Sequence, residues 1–163
     1  MPEPTTHSRQ IAFQDRYDET HSHCFGCGRN NPHGHHLKSF WSGAITTARF
    51  RPAAQYTGGV PSHVYGGLIA SLFDCHGTAS AAAFNHREHG HELNDPAPFE
   101  RCVTASLNVD FLRPTPMGVE LLVEGVLDRL EGRKVWVEMS LKAEGTLCAR
   151  ARMLAIVLRP DSP

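Results

Sequence analysis

The sequence has no apolar stretch long enough to span a bilayer, which sets a helical membrane protein aside. Nor has it an excess of charge of either sign. Its 16 Lys and Arg against 17 Asp and Glu leave a formal net charge of −1, with no electrostatic footprint for nucleic acid or an anionic membrane. No internal repeat and no second domain can be traced. The first residues, Met-Pro-Glu-Pro-Thr-Thr-His, lack the basic region and apolar run of a secretory signal, so a soluble, cytoplasmic protein is expected. Five cysteines are an odd number, and 163 residues can build a core without covalent staples. Reduced thiols are therefore expected rather than a disulfide framework. No cofactor-binding motif is read, and no cofactor is expected.

What the chain does have is one long helix and a series of strands. Residues 1–20 read as an N-terminal tail, with a short helix around Ile11–Tyr17. Residues 21–37 form a Cys/His-rich segment of turn formers, and residues 38–160 form the main domain. Lys38–Phe50 reads as a strand, Arg51–His63 as a loop, and Gly66 to about Phe84 as a helix. His86–Arg101, with Asn94-Asp95-Pro96 and Pro98, reads as a loop carrying solvated His86, His89 and His91. Val103, Ala105, Leu107, Val109 and Phe111 then alternate with Thr104, Ser106, Asn108 and Asp110, as in a strand with two unlike faces. Val119–Leu130, Lys134–Ala143 and Leu147–Leu158 continue the series, separated by Glu131-Gly132-Arg133 and Glu144-Gly145-Thr146. One long helix followed by a meander of long strands implies an α+β fold, a sheet curling around the helix.

On a helical wheel, Leu68, Leu72, Cys75 and Ala79 form one stripe, with Ile69, Phe73, His76 and Phe84 beside it. His76 reads as a core histidine with a satisfied ring, and Cys75, Cys102 and Cys148 as small core residues. Asp74 points the other way, among Gly67, Ala70, Ser71, Gly77, Thr78 and Ala81, all small. A face cleared of bulk expects a close visitor: a partner helix, a substrate, or both at a dimer interface.

The same helix carries the chemistry. Gly66-Gly67 at its start leaves unpaired N–H groups open to a ligand, where the helix dipole favours negative charge. Two turns on, and at short range on the same rod, Asp74 supplies a carboxylate that deprotonates a water or attacks a carbonyl. Thr78, one turn further, is placed to hold that water. An oxyanion donor together with an acid suggests acyl chemistry, although Asp74 as a plain solvated helix residue is the bland alternative.

Tyr65-Gly66-Gly67 through Asp74 resembles the His-Gly-Gly-x7-Asp signature of hotdog-fold acyl-CoA thioesterases related to the phenylacetate-pathway enzyme. The run Val103–Pro114, the turn Gly132-Arg133-Lys134-Val135 and Ala149-Arg150-Ala151-Arg152 are similar as well, so the resemblance covers about Lys38–Pro160. It implies a central helix wrapped by an antiparallel sheet, in a homodimer or homotetramer with acyl-CoA sites between subunits. Asp74 would be the catalytic base or nucleophile, Gly66 the oxyanion donor supplied across the dimer, and Thr78 the water-orienting threonine. Tyr65 stands where the signature histidine is usual, with His63 two residues earlier. An orienting role suits tyrosine, which is no base near neutral pH. Gly67, and Ser106 and Asn108 lining a pantetheine channel, would complete substrate binding, with Arg133, Lys134, Arg150 and Arg152 available to CoA phosphates. A hotdog hydratase and a non-catalytic acyl-CoA-binding protein are the alternatives.

Cys24-Phe25-Gly26-Cys27-Gly28, with His21, His23, His33, His35 and His36 nearby, has the first half of a zinc-binding pattern. It lacks a second ligand pair at defined spacing. No metal is assigned, and the segment reads as a tight turn forming a flap over the acyl pocket.

Overall fold

Apolar residues on two unlike periods, 3.6 through 66–88 and two beyond residue 100, give the chain one helix and one sheet to bury against each other. The computed structural model describes residues 10–159. Strands β1 (Ser39–Ser42) and β2 (Ile45–Phe50) precede helix α1 (Gly66–Glu88). β3 (Cys102–Phe111), β4 (Leu121–Glu131), β5 (Lys134–Ala143) and β6 (Thr146–Val157) follow it. All six strands form one antiparallel sheet in the order β1-β2-β4-β5-β6-β3, so β3 is an edge strand. No helix among the described residues is long and apolar enough to cross a membrane.

The sheet closes over α1. Leu68, Leu72 and Phe73 are fully buried with Leu121, Val123, Val135, Val137, Leu141 and Met153. Gly77 is part of this contact: a Cβ there would stand 2.6 Å from Met153 Cε and 2.7 Å from its Sδ. The missing side chain at Gly77 thus serves the sheet rather than a visitor, and Ala81 is buried as well. Gly67, Ala70, Ser71, Asp74 and Thr78 remain as the partly open stripe.

Three further expectations are revised. Lys38–Phe50 is two strands, because Gly43 at φ +63° reverses the chain between β1 and β2. The helix runs four residues past Phe84, so His86 is helical and buried, its Nε2 3.0 Å from Glu92 O and its ring edge-on to Phe99. Within the segment read as a tail, Phe13 is completely buried against Ala79, Ala83 and Trp41, on a 3-10 turn at Phe13–Arg16.

His76 occupies the core position expected of it. Its Nδ1 lies 2.9 Å from Ser39 Oγ and its Nε2 3.2 Å from Thr46 Oγ1, while Gln14 donates to Ser39 and Ser80 pairs with Thr46. Full burial pushes the imidazole down to about 4, so it is neutral inside the fold.

Candidate active site

Tyr65 is the N-cap of α1, in extended conformation and without a side-chain capping bond. Gly66 and Gly67 are the first two helical residues. Their N–H groups point out of the helix start with no backbone partner among the described residues. Two aromatic rings need these glycines. A Cβ on Gly67 would stand 2.4 Å from Tyr65 Cε2, and one on Gly66 would stand 3.3 Å from two atoms of the Phe111 ring. Tyr65 also stacks on Tyr56 and remains 39% exposed, so its ring forms one wall of the glycine turn. His63 is held by backbone bonds, His63 N–H to Val60 O and Gly58 N–H to His63 O, and makes no hydrogen bond to Asp74.

Asp74 lies on the open stripe of α1 beside β3. Its Oδ1 accepts a hydrogen bond from Thr104 Oγ1 at 2.5 Å. The alternating pattern of residues 103–111 puts Thr104 on the polar outer face of the strand. A bulge between Thr104 and Ser106 reverses that. Thr104 pairs with Ala155 and Leu107 with Met153, so Thr104 shares the helix-facing side with Leu107, Val109 and Phe111. Nothing in the sequence marks the bulge, which is why Thr104 escapes a reading by period. Beyond it, Ser106, Asn108 and Asp110 pair with Leu154, Arg152 and Arg150 on the opposite face.

Asn108 there joins Asp110, Glu138, Arg150 and Arg152 in a groove of about 250 Å3, with Arg152 held 2.9 Å from Glu138. The structure thus separates Ser106 and Asn108 from the Asp74 side of β3. Thr78 is on the Asp74 face, but its hydroxyl donates back to Asp74 O at 3.1 Å and Cys75 O at 3.3 Å. Its oxygen lone pairs stay available to accept from a water.

The distance between donor and acid needs correction. Asp74 lies eight residues along the helix from Gly66, an axial rise of about 12 Å. One carbonyl cannot touch both groups of the same chain.

The chain's own Cys24–Gly28 turn lies along the Cys75 and Ser71 edge of α1, beside the stripe that carries Asp74. A Cβ on Gly26 would stand 2.2 Å from Cys75 Sγ and 3.5 Å from Ser71 Oγ, so only glycine lets the turn lie on the helix. Cys75, on the turn side of α1, brings its sulfur to 3.7 Å from Cys24 Sγ. Hydrogen bonds from the Cys27 and Cys75 thiols and from the Gly26 and Cys27 backbone N–H groups hold the Cys24 thiol far below its ordinary range. Cys27 is pushed up to about 12, chiefly through its hydrogen bond to Cys24. Three of the nearby histidines are engaged elsewhere: His21 with Asp18, His36 with Asn31 O, and His35 edge-on to Phe25, Phe50 and Tyr56.

One long helix wrapped by a six-stranded curved antiparallel sheet is the hotdog arrangement. The family model described as the thioesterase superfamily matches residues 62–150, more than half of the chain, and the chain belongs to that superfamily. A thioesterase superfamily protein from Shewanella loihica is 44% identical and superposes with a TM-score of 0.65, covering 88% of this chain and 100% of that one. The acyl-coenzyme A thioesterase THEM4 of Rattus norvegicus is 34% identical over 107 residues, 64% of this chain and 40% of that protein. This chain therefore spans about two-fifths of the length of the curated relatives it matches. The PaaI protein from the phenylacetic acid degradation operon of E. coli, at 14% identity and a TM-score of 0.61, covers 76% of this chain and 80% of its own. A Streptococcus mutans protein solved bound to acetyl CoA, at 13% identity and a TM-score of 0.59, covers 75% and 88%. At those identities the last two likenesses show the fold alone.

Proposed function

We propose that this chain hydrolyses the thioester bond of an acyl-CoA in a homodimer, Asp74 of one subunit acting with the Gly66 N–H of the other. The observation that carries the reading is the oriented carboxylate. Thr104 fixes one oxygen of Asp74 on an open helix face, beside a strand edge that has no partner among the described residues. The superfamily, the activity named for the THEM4 relatives and the acetyl CoA bound by a neighbour of the same fold support the substrate class.

Asp74 takes a proton from a water that Thr78 holds through its free lone pairs. The resulting hydroxide attacks the thioester carbonyl carbon, and the Gly66 N–H stabilises the oxyanion by about 3 kcal/mol. Collapse breaks the C–S bond, and the departing CoA thiolate leaves with the proton as the free thiol. Tyr65 and Gly67 shape the turn that presents this N–H, and His63 backs it. The 12 Å rise between donor and acid explains why two subunits are needed. Edge strand β3 supplies a contact surface, with Val103 41%, Phe111 55% and Leu112 43% exposed. Pairing of two β3 edges in a symmetric dimer sets each glycine turn against the partner's acid. No nucleic acid or membrane partner enters, and the cytoplasm suits a CoA ester.

The test is thiol release across a panel of acyl-CoA esters, with Asp74→Ala measured beside the parent. Turnover of at least one ester, reduced by two or more orders of magnitude in the variant, is expected. Full activity of Asp74→Ala overturns the mechanism. Tight binding without turnover across the panel makes the protein an acyl-CoA-binding one instead.

A further inference from the structure

Three of the five cysteines meet at one point. Cys24 and Cys27 come from the tight turn, and Cys75 comes from α1, 48 positions beyond Cys27. Their sulfur atoms all lie within 4.8 Å of one another. Read alone, the Cys-x2-Cys pair lacked a further ligand, and Cys75 looked like a small core residue. The fold supplies that ligand by laying the turn on the helix.

Geometry separates the uses three thiols can have. A disulfide needs sulfur atoms about 2.05 Å apart. Two thiolates bound to one tetrahedral zinc ion at about 2.3 Å each are separated by about 3.8 Å. The Cys24–Cys75 separation is 3.7 Å.

The turn is also built as a ligand cradle. Gly28 N–H donates to Cys24 O at 2.7 Å, and a Cβ on Gly28 would stand 2.4 Å from Cys24 N and 2.5 Å from Ser22 O. The Arg101 guanidinium, stacked on Tyr17, adds positive charge on the Cys27 side and offsets the surplus negative charge of three thiolates on a divalent ion. Cys27 and Cys75 are buried and Cys24 is half-buried, which leaves one open approach to the cluster.

We propose that Cys24, Cys27 and Cys75 bind one zinc(II) ion, with solvent in the fourth position, clamping the 21–37 segment to the central helix next to Asp74. Binding releases the thiol protons and ties together residues 51 positions apart, so the ion contributes folding free energy directly. The site stands apart from the acyl chemistry and does not depend on the function proposed above.

The full-length reduced protein, stripped of metal, is titrated with zinc(II) against a chromophoric chelator, and with cobalt(II) as a spectroscopic probe. The expected result is one zinc per chain. Cobalt(II) should give thiolate-to-metal charge-transfer bands with strong tetrahedral d–d absorption, both lost in Cys75→Ser. Because Cys75→Ser can disturb packing, the unmutated protein carries an independent readout. Zinc should slow alkylation of Cys24 tenfold or more and raise the melting temperature, and a chelator should reverse both. Three results each overturn the proposal: zinc well below one equivalent per chain, undiminished binding by Cys75→Ser, or alkylation unchanged by zinc. Recovery of the native protein with a disulfide among these three cysteines would replace the metal site with a redox bond.

Discussion

Thr104 donates to Asp74 across 30 positions of sequence, from an edge strand to the central helix. The bond exists because β3 bulges one residue later and turns Thr104 inward. Asp74 is thereby held in one orientation on a face otherwise stripped of bulk.

Thr104→Val removes the donor and keeps the shape. A hydrogen bond to a charged group contributes about 1.5–3 kcal/mol, so kcat should fall about tenfold or more. KM for the acyl-CoA should change little, and Thr104→Ser should restore most of the rate. Thermal stability should fall by no more than about 1 kcal/mol, since Thr104 is exposed and water replaces the lost donor on the carboxylate. Unchanged kcat in Thr104→Val removes Thr104 from the positioning of the acid.

General-base action by Asp74 also has an isotopic signature. In a single turnover in 18O-labelled water, the label should enter the released carboxylic acid and not the Asp74 carboxylate. Mass spectrometry of the peptide carrying Asp74 reads this directly. Label on Asp74 would establish attack by the carboxylate itself, through an anhydride.

His76 should titrate abnormally low. Its folded value of about 4 lies below the ordinary value of 6.5. The unfolded chain therefore binds the extra proton between those two values, so stability falls as pH drops from about 6.5 towards about 4 and is unaffected by this group above that window. The full difference is about 3 kcal/mol. Imidazole NMR should find His76 neutral at pH 5.5. A His76 midpoint near 6.5 contradicts the buried Ser39–His76–Thr46 arrangement.

Gly28→Ala tests the Cys24–Gly28 turn. Its Cβ would meet backbone atoms of Ser22 and Cys24 at 2.4–2.7 Å, and backbone cannot swing aside as a side chain can. A loss of about 2–4 kcal/mol in denaturant unfolding is expected. Gly59→Ala, where a Cβ meets nothing within 4 Å, should stay near the parent.

The helix, the four long strands and the place of Asp74 on a helix face of small residues are legible because each rests on local pattern: periodicity, turn residues, and a lone carboxylate among small neighbours. Gly43 does not stand out as a turn, because its flanks, Ser39–Ser42 and Ile45–Phe50, read together as one strand. Thr104 was hidden by a bulge that shifts the strand's parity without any residue announcing it. The Cys75 contact with Cys24 and Cys27 depends on where a turn lands on a helix, and spacing along the chain cannot carry that. The same limit applies to Ser106 and Asn108, whose face is decided by the bulge before them.

The most direct test of the central claim, an acid and an oxyanion donor contributed by different subunits, is complementation. Asp74→Ala and Gly66→Val chains, each checked for folding by circular dichroism, are inactive alone and are mixed by unfolding and refolding together. Random reassortment into symmetric dimers makes half of them mixed, each with one intact site, so thioesterase activity should return to about a quarter of the parent's. No recovery in mixtures shown to contain the mixed dimer would mean that both groups act within one chain, and would contradict the two-subunit site.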